Sequence, residues 1–432
     1  MHTKKHLGFS ALRKLISRRV LGIYDTRQEG KVDYSLHDSC LSAFAMMFFQ
    51  DPSLRIFQQN LQDKLHRSNL KTLFDVSVIP GDTQMRTIID DIPSSEIEPL
   101  FGDFFEPMQR GKQIEQLKFM NNWYLIALDG VQYFSSNKIS CGGCLRKTSK
   151  KTTTYSHQVV AATMVCPGIR QVVPLAPEPV HNTDGAKKQG CVTNAGKRLI
   201  NKIRSTHPKL KIIVTGDSIY SKQPTIDELK KNRMSYLLVA KPSDHKVLHQ
   251  WFADCRGLGQ AQQLKIRNHK KKRYLYEWVN DIPLNGSKDA DNVNFLQLTI
   301  FEGRKATFRN SWVTDIPITN DNIVDLVKGA RARWKIENEA FNTLKNQGYH
   351  LEHNFGHGDK HLSYNFMLFN FLAFFMHQIL QLTDRHYQAC RGKFTSLKEY
   401  WNQLRSTIRI LIFPSFESLL QFITDPESGI PP

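Results

Sequence analysis

A chain of 432 residues is too long for one small domain and can bury a substantial core, so length alone suggests about two to four structural units. Lysine and arginine outnumber aspartate and glutamate by 59 to 40, and the formal charge of +19 excludes the mildly acidic balance of an ordinary cytosolic enzyme and points to a polyanion, nucleic acid first. Seven scattered cysteines (Cys40, Cys141, Cys144, Cys166, Cys191, Cys255, Cys390) argue against a secreted disulfide framework and for a reducing compartment, and the N-terminus carries no pattern that reads as a secretory signal.

Residues 1–120 read as an N-terminal helical DNA-binding domain, with apolar periodicity over Cys40–Phe49 and Leu54–Phe74 and with Lys4, Lys5, Arg13, Lys14, Arg18 and Arg19 at its start. Asp82 can cap the following T-Q-M-R-T-I-I-D-D-I, either a recognition helix or an ordinary packed one. From residue 121 the pattern turns to β: W-Y-L-I-A-L-D-G-V, H-Q-V-V-A-A-T-M-V and Q-V-V-P-L-A-P-E-P-V predict three successive antiparallel strands. A helix near Cys191–Ser205, the strand K-I-I-V-T-G-D-S, a helix near Thr225–Asn232 and the strand S-Y-L-L-V-A-K complete residues 121–254 as a mixed sheet covered by helices, an α/β fold.

Residues 255–318 become strand-like again, with Y-L-Y-E-W-V-N, N-F-L-Q-L-T-I-F-E and S-W-V-T-D-I divided by turn residues, and read as a β-strand insertion. A long helix over Asn322–Gln347 opens the second part of the core, residues 319–384, followed by a Gly- and His-rich loop and an apolar helix. Asn365, Asn370, His377 and Gln378 interrupt that last helix, Tyr364–Leu382, which favours a buried core helix over a bilayer span. Residues 385–432 form a basic C-terminal segment, and no internal repeat is present.

Asp129 and Asp217 each end an apolar strand, so both carboxylates would be carried to the carboxyl edge of a buried sheet. Two close carboxylates repel, and Mg²⁺ or Mn²⁺ would offset that cost through hard oxygen ligands. A third acid has to come from the long helix. Ala330, Trp334, Glu337, Phe341 and Leu344 recur at helical spacing as one apolar stripe; Glu337 interrupts it, whereas Glu339 sits with Lys335, Asn342 and Asn346 on the polar face. An acid at an apolar position is costly unless paired or metal-bound, so Glu337 is the choice. Taken singly, Asp129 could be a turn former before Gly130 and Asp217 a helix cap.

With these residues in view, the sequence resembles the DDE transposases of bacterial insertion sequences, in the IS-four-type branch marked by Y-x2-R-x3-E-x6-K and a β-strand insertion before the glutamate. The segment A-R-A-R-W-K-I-E-N-E-A-F-N-T-L-K matches R-x3-E at Arg333 and Glu337, and L-D-G-V and G-D-S-I-Y look like the two aspartate motifs, over about residues 37–380. Ala330 replaces the signature tyrosine, and Lys345 falls one residue late, about 80° around a helix from Glu337 rather than about 20°.

The resemblance implies a ribonuclease-H-like core and two Mg²⁺ or Mn²⁺ ions on Asp129, Asp217 and Glu337. It also implies double-stranded DNA partners, namely terminal inverted repeats and target DNA, a homodimer on paired ends, and a nucleoid-associated place in a bacterial cytoplasm. Arg331, Arg333 and Lys345 are its phosphate-gripping candidates, and Trp312, in the insertion, its candidate for stacking on a flipped base or else a sheet-packing residue.

The run His269, Lys270, Lys271, Lys272, Arg273 and the group Arg146, Lys147, Lys150, Lys151 extend the expected DNA track or are solvated loops. Cys141-Gly-Gly-Cys144 has knuckle spacing but no second ligand pair at the customary interval; His157, Cys166 and Cys191 are isolated candidates, so a reduced turn is expected rather than structural zinc. Gly356 and Gly358 speak against His353, His357 and His361 sharing one helix face. Two rival readings share these features: another metal-dependent DNA nuclease, and an inactive DNA-binding protein derived from a transposase.

Overall fold

The β-branched apolar runs after residue 121 need partners for their backbone groups, and in the computed structural model they find them in a large mixed sheet. The structure describes residues 5–28, 30, 32–61, 68–120, 122–149, 152–185, 188–268 and 272–427; the expected DNA contacts Lys4, Lys150, Lys151, His269, Lys270 and Lys271 lie outside the described residues. In chain order come helices α1 (Leu36–Phe48) and α2 (Asp82–Asp90), strands β1 (Trp123–Ser136), β2 (Leu145–Ser149), β3 (Thr152–Cys166) and β4 (Ile169–Pro174), and helix α3 (Lys188–Thr206). Then follow β5 (Ile212–Gly216), β6 (Ser235–Val239), β7 (Gln262–Arg267), β8 (Arg273–Pro283), β9 (Asn292–Glu302), β10 (Lys305–Thr314), α4 (Ile323–Arg331) and α5 (Leu362–Thr383), with further helices between and after them. The chain divides into two units: residues 1–115, 132–158 and 338–432 form the first, residues 116–131 and 159–337 the second.

In the second unit the strand order is β3-β1-β5-β6-β10-β9-β8-β7. β1, β5 and β6 are parallel, while β6 to β10 and the rest of the meander are antiparallel. All of β5 is buried, as a parallel strand covered on both faces requires. The strands predicted as an insertion continue this sheet through Trp312 opposite Val239.

The helix expected over Asn322–Gln347 is broken. α4 ends at Arg331, a turn covers Ala332 and Arg333, and Ile336–Phe341 winds as a π-helix before a short α-turn over Asn342–Asn346. A π turn takes more residues per turn than an α turn, so the predicted stripe loses its register. Ala330, Phe341 and Leu344 are buried, but Trp334 is 60% exposed and Glu337 points outward.

In the first unit, α5 is long and apolar enough by length and composition to cross a membrane, yet most of it is buried inside this unit, packed against α1 and α2. The polar residues that interrupt it have partners: Asn365 donates to the carbonyls of Ile89 and Ile92 and accepts from Ser94, and Asn370 donates to the Tyr349 carbonyl at 2.7 Å. The Tyr349 hydroxyl meets His377 Nδ1 at 2.6 Å. Residues 385–427 are held in the same unit, with Asn69 donating to the carbonyls of Ile408 and Leu411.

The start of α5 has free backbone donors, as every helix does. Asp90, the last residue of α2, accepts from the amides of Asp359, Lys360, His361 and Leu362 at 2.8–3.1 Å. Burial alone would raise the Asp90 carboxyl, but these donors outweigh it and hold the group below its usual value. Gly358, at φ +64°, keeps the loop open, because a Cβ there would overlap Asp90 and Leu362. Replacing Asp90 by Ala should cost about 2–3 kcal/mol by denaturant melts. Since the folded carboxyl is depressed, its stabilisation is full above the ordinary carboxyl range and disappears as pH falls through the folded value. The gap between wild type and Asp90→Asn should therefore close in acid; a gap constant from neutral to strongly acidic pH would refute this account.

Candidate active site

Parallel pairing sets the site. Tyr124 to Leu128 of β1 lie opposite Ile212 to Gly216 of β5, so Asp129 and Asp217 are the next residues on two adjacent strands that run the same way. Neighbouring strands stand about 4.8 Å apart, which sets the two acids side by side; β5 ends just before Asp217, whereas β1 runs on through Asp129 to Ser136, so Asp129 does not end its strand as expected.

The chain turns sharply after Asp217, whose carbonyl accepts from the Tyr220 amide at 2.9 Å. Ser218 donates to the Asp244 carboxylate and Ser221 meets His245 Nε2 at 2.6 Å, which pins the turn. The Tyr220 ring is fully buried, and two glycines make room for it: a Cβ would stand 2.8 Å from the ring at Gly196 and 2.9 Å at Gly216. Burial raises the Tyr220 phenol, with Asp129 and Asp217 adding to the rise, so this ring lies within the electrostatic reach of both acids.

Two cations balance the acids. Just past β6, Lys241 Nζ lies 2.9 Å from Asp217 Oδ2. Arg333 is only 8% exposed; its Nη1 donates to Glu337 Oε1 at 2.8 Å and reaches Asp129 Oδ2 at 3.4 Å. The two aspartates consequently differ. Burial pushes the Asp129 carboxyl well above its usual range, and Glu337 adds to this against the Gly130 amide and Arg333. Burial would raise Asp217 too, but Lys241, the Ser218 amide and Arg333 bring it below its usual value. Asp129, Asp217 and Glu337 thus offer only hard carboxylate oxygens around an incompletely compensated negative charge, a donor set that fits Mg²⁺ or Mn²⁺.

Several expected roles change. Arg333 is buried against the acids, and its guanidinium is committed to Glu337 and Asp129 rather than open to a phosphate. Trp312 is 1% exposed, opposite Leu296 and Val239 in the sheet, so it is a packing residue here and cannot reach a base. Glu337 joins Asp129 through Arg333 and not through the apolar stripe, since Trp334 and Glu337 both face outward. Arg331 lies over the Phe308 ring at 5.0 Å and is exposed. In the first unit, Lys345 pairs with Glu352 at 2.7 Å. Lys272 pairs with Glu302, and Arg273 covers the Phe301 ring at 5.1 Å and donates to the Gly303 carbonyl.

Sequence reasoning did not anticipate that Lys241 pairs with Asp217, that the Tyr220 ring packs beside the aspartates, or that Trp334 is exposed. Lys241 was within reach: it follows the strand S-Y-L-L-V by two residues, as a residue at the carboxyl edge should. Trp334 gives no such signal, because its exposure depends on where the helix breaks.

The sequence matches the family described as transposase DDE domain over residues 149–375, slightly more than half of the chain. No curated protein matches it.

Gly216→Ala should force the Tyr220 ring away from β5 and cost about 1–3 kcal/mol, read as a lowered denaturation midpoint. Combining it with Tyr220→Leu should recover part of that loss. Full additivity of the two substitutions would show that the close approach at Gly216 is not what limits packing.

Proposed function

The chain belongs to the transposase DDE-domain family, and from that premise we propose that it cuts and joins the ends of an insertion sequence, with Asp129, Asp217 and Glu337 holding two divalent ions on a ribonuclease-H-like core. The observation that carries this reading is the buried Arg333: its guanidinium contacts Asp129 and Glu337, two acids from distant segments, while Asp217 follows β5, the parallel neighbour of the strand that carries Asp129. The bound metal would supply activation of the attacking hydroxyl and stabilisation of the leaving oxygen.

The chain's own residues do the rest. Lys241 keeps Asp217 ionised and, at 48% side-chain exposure, presents positive charge at the rim of the site. Arg333 holds Asp129 and Glu337 toward one another against their repulsion. The excess of basic residues draws in double-stranded DNA, terminal repeats and target alike, and two paired ends call for two copies of the chain. Exposed Trp334, adjacent to Arg333, takes over the stacking role expected of Trp312.

The test is Mg²⁺-dependent cleavage and joining of DNA carrying the element's own ends. Asp129→Asn, Asp217→Asn and Glu337→Gln should each lose about a hundredfold or more of both activities with DNA binding retained, while Glu339→Gln keeps them. Cutting without joining would make the chain a nuclease, and end binding by a wild type that never cuts would favour the inactive DNA-binding reading. Trp334→Ala should weaken end binding by ~1–3 kcal/mol, the range of one base stack, and Trp312→Phe should not; equal losses in the two would overturn the assignment of Trp334.

A further inference from the structure

A second group of chemically active side chains lies wholly within the first unit. Among the described residues, Cys141, Cys144, His157 and His357 bring four ligand atoms within 4.8 Å of one another. The cysteines come from the C-G-G-C turn between β1 and β2, His157 from β3, and His357 from the loop that Asp90 organises ahead of α5. We infer that these four residues bind a structural zinc ion.

The distances support a tetrahedral centre. Cys141 Sγ and Cys144 Sγ are 3.7 Å apart. His157 Nε2 is 3.4 Å from each sulfur, and His357 Nε2 is 3.7 Å from Cys144 Sγ. Zinc bonds of about 2.3 Å to sulfur and about 2.0–2.1 Å to nitrogen, at tetrahedral angles, place sulfurs about 3.8 Å apart and sulfur about 3.6 Å from nitrogen. A disulfide would need about 2.05 Å between the sulfurs, and both cysteines are free.

The surroundings suit a closed structural site. Cys144 is fully buried and Cys141 partly so. The Cys141 amide donates to Cys144 Sγ at 3.4 Å, a contact that a metal-bound sulfur can also accept. Tyr133 stacks on His157, with ring centroids at 5.9 Å, and Phe134 lies 4.3 Å from the His357 ring, so the imidazoles stand against aromatic walls. Burial lowers both imidazoles and keeps them neutral, with lone pairs available to a metal. Two thiolates and two neutral imidazoles cancel the charge of Zn²⁺, and binding releases the two thiol protons to solvent. All four ligands are protein atoms, which leaves no open position for catalysis, and sulfur with nitrogen selects zinc over the hard ions of the carboxylate site.

The reduced turn expected from sequence becomes a metal site because the missing ligands arrive through the fold. His357 is 213 residues from Cys144. Cys166 and Cys191 take no part: their sulfurs meet the carbonyls of Lys118 and Pro167 and of Gly185.

The test uses the full chain, purified without added metal. Elemental analysis should find about one zinc per chain, lost in Cys141→Ser and in His357→Ala but retained in Cys255→Ser. If the first two variants fail to fold, the wild type still decides. Zinc removed with a thiol-directed mercurial and replaced by Co²⁺ should give the visible bands and thiolate charge transfer of a tetrahedral S₂N₂ centre, and metal removal should lower the melting temperature reversibly. Wild type that carries no zinc and gives no tetrahedral cobalt spectrum would overturn the proposal. So would zinc retained in folded Cys141→Ser and His357→Ala, or iron with inorganic sulfide in place of zinc.

Discussion

The parallel pairing of β1 with β5 is the constraint on which the candidate active site depends. It sets Asp129 and Asp217 side by side on neighbouring strands, β1 running on past the first and β5 ending before the second, so two negative charges need partners close by. The fold answers with two cations of different kinds. Lys241 is half exposed and holds one acid; Arg333 is buried and holds Asp129 together with Glu337. A buried guanidinium is costly unless its charge is matched, so Arg333 and the acids justify one another's burial. The outcome is unequal: Asp217 is held in its ionised form while Asp129 is pushed toward its neutral one, and a divalent ion would relieve the same repulsion with more charge.

The surrounding chain makes that edge rigid. Tyr220 fills the space that Gly196 and Gly216 leave beside β5, and serine contacts to Asp244 and His245 fix the turn after Asp217. An acid that must hold metal in a set direction needs such support, because a loose side chain spends binding energy on its own ordering. In the first unit the same logic is applied to polar groups in an apolar core. Asn365 and Asn370 satisfy the backbone of neighbouring segments, and Asp90 gathers four amides so that a glycine-rich loop presents His357 beside the C-G-G-C turn.

The strand-end position of Asp217 was legible from the apolar run before it, and the placement of Asp129 beside it was not, because β1 runs on to Ser136 and only the parallel pairing with β5 aligns the two. The β meander was legible from alternation and turns; its continuity with the main sheet was not, because strand order depends on long-range pairing. Glu337 is instructive. The stripe used to select it assumed a regular helix, and the π segment removes that premise, yet Glu337 reaches Asp129 through Arg333. The same irregularity exposes Trp334, while Trp312, placed in a strand from sequence, proves to be sheathed by its neighbours.

Sequence by itself determined the basic charge, the mixed α/β character, the order of the main strands and the aspartate that follows β5, since each follows from composition or local periodicity. Tertiary structure alone decided which cations face those acids, which tryptophan meets solvent, and that His157 and His357 converge on Cys141 and Cys144. The physical reason is range: periodicity reports the face a residue turns toward its nearest turns of chain, whereas pairing across some 200 residues is settled only when the core closes.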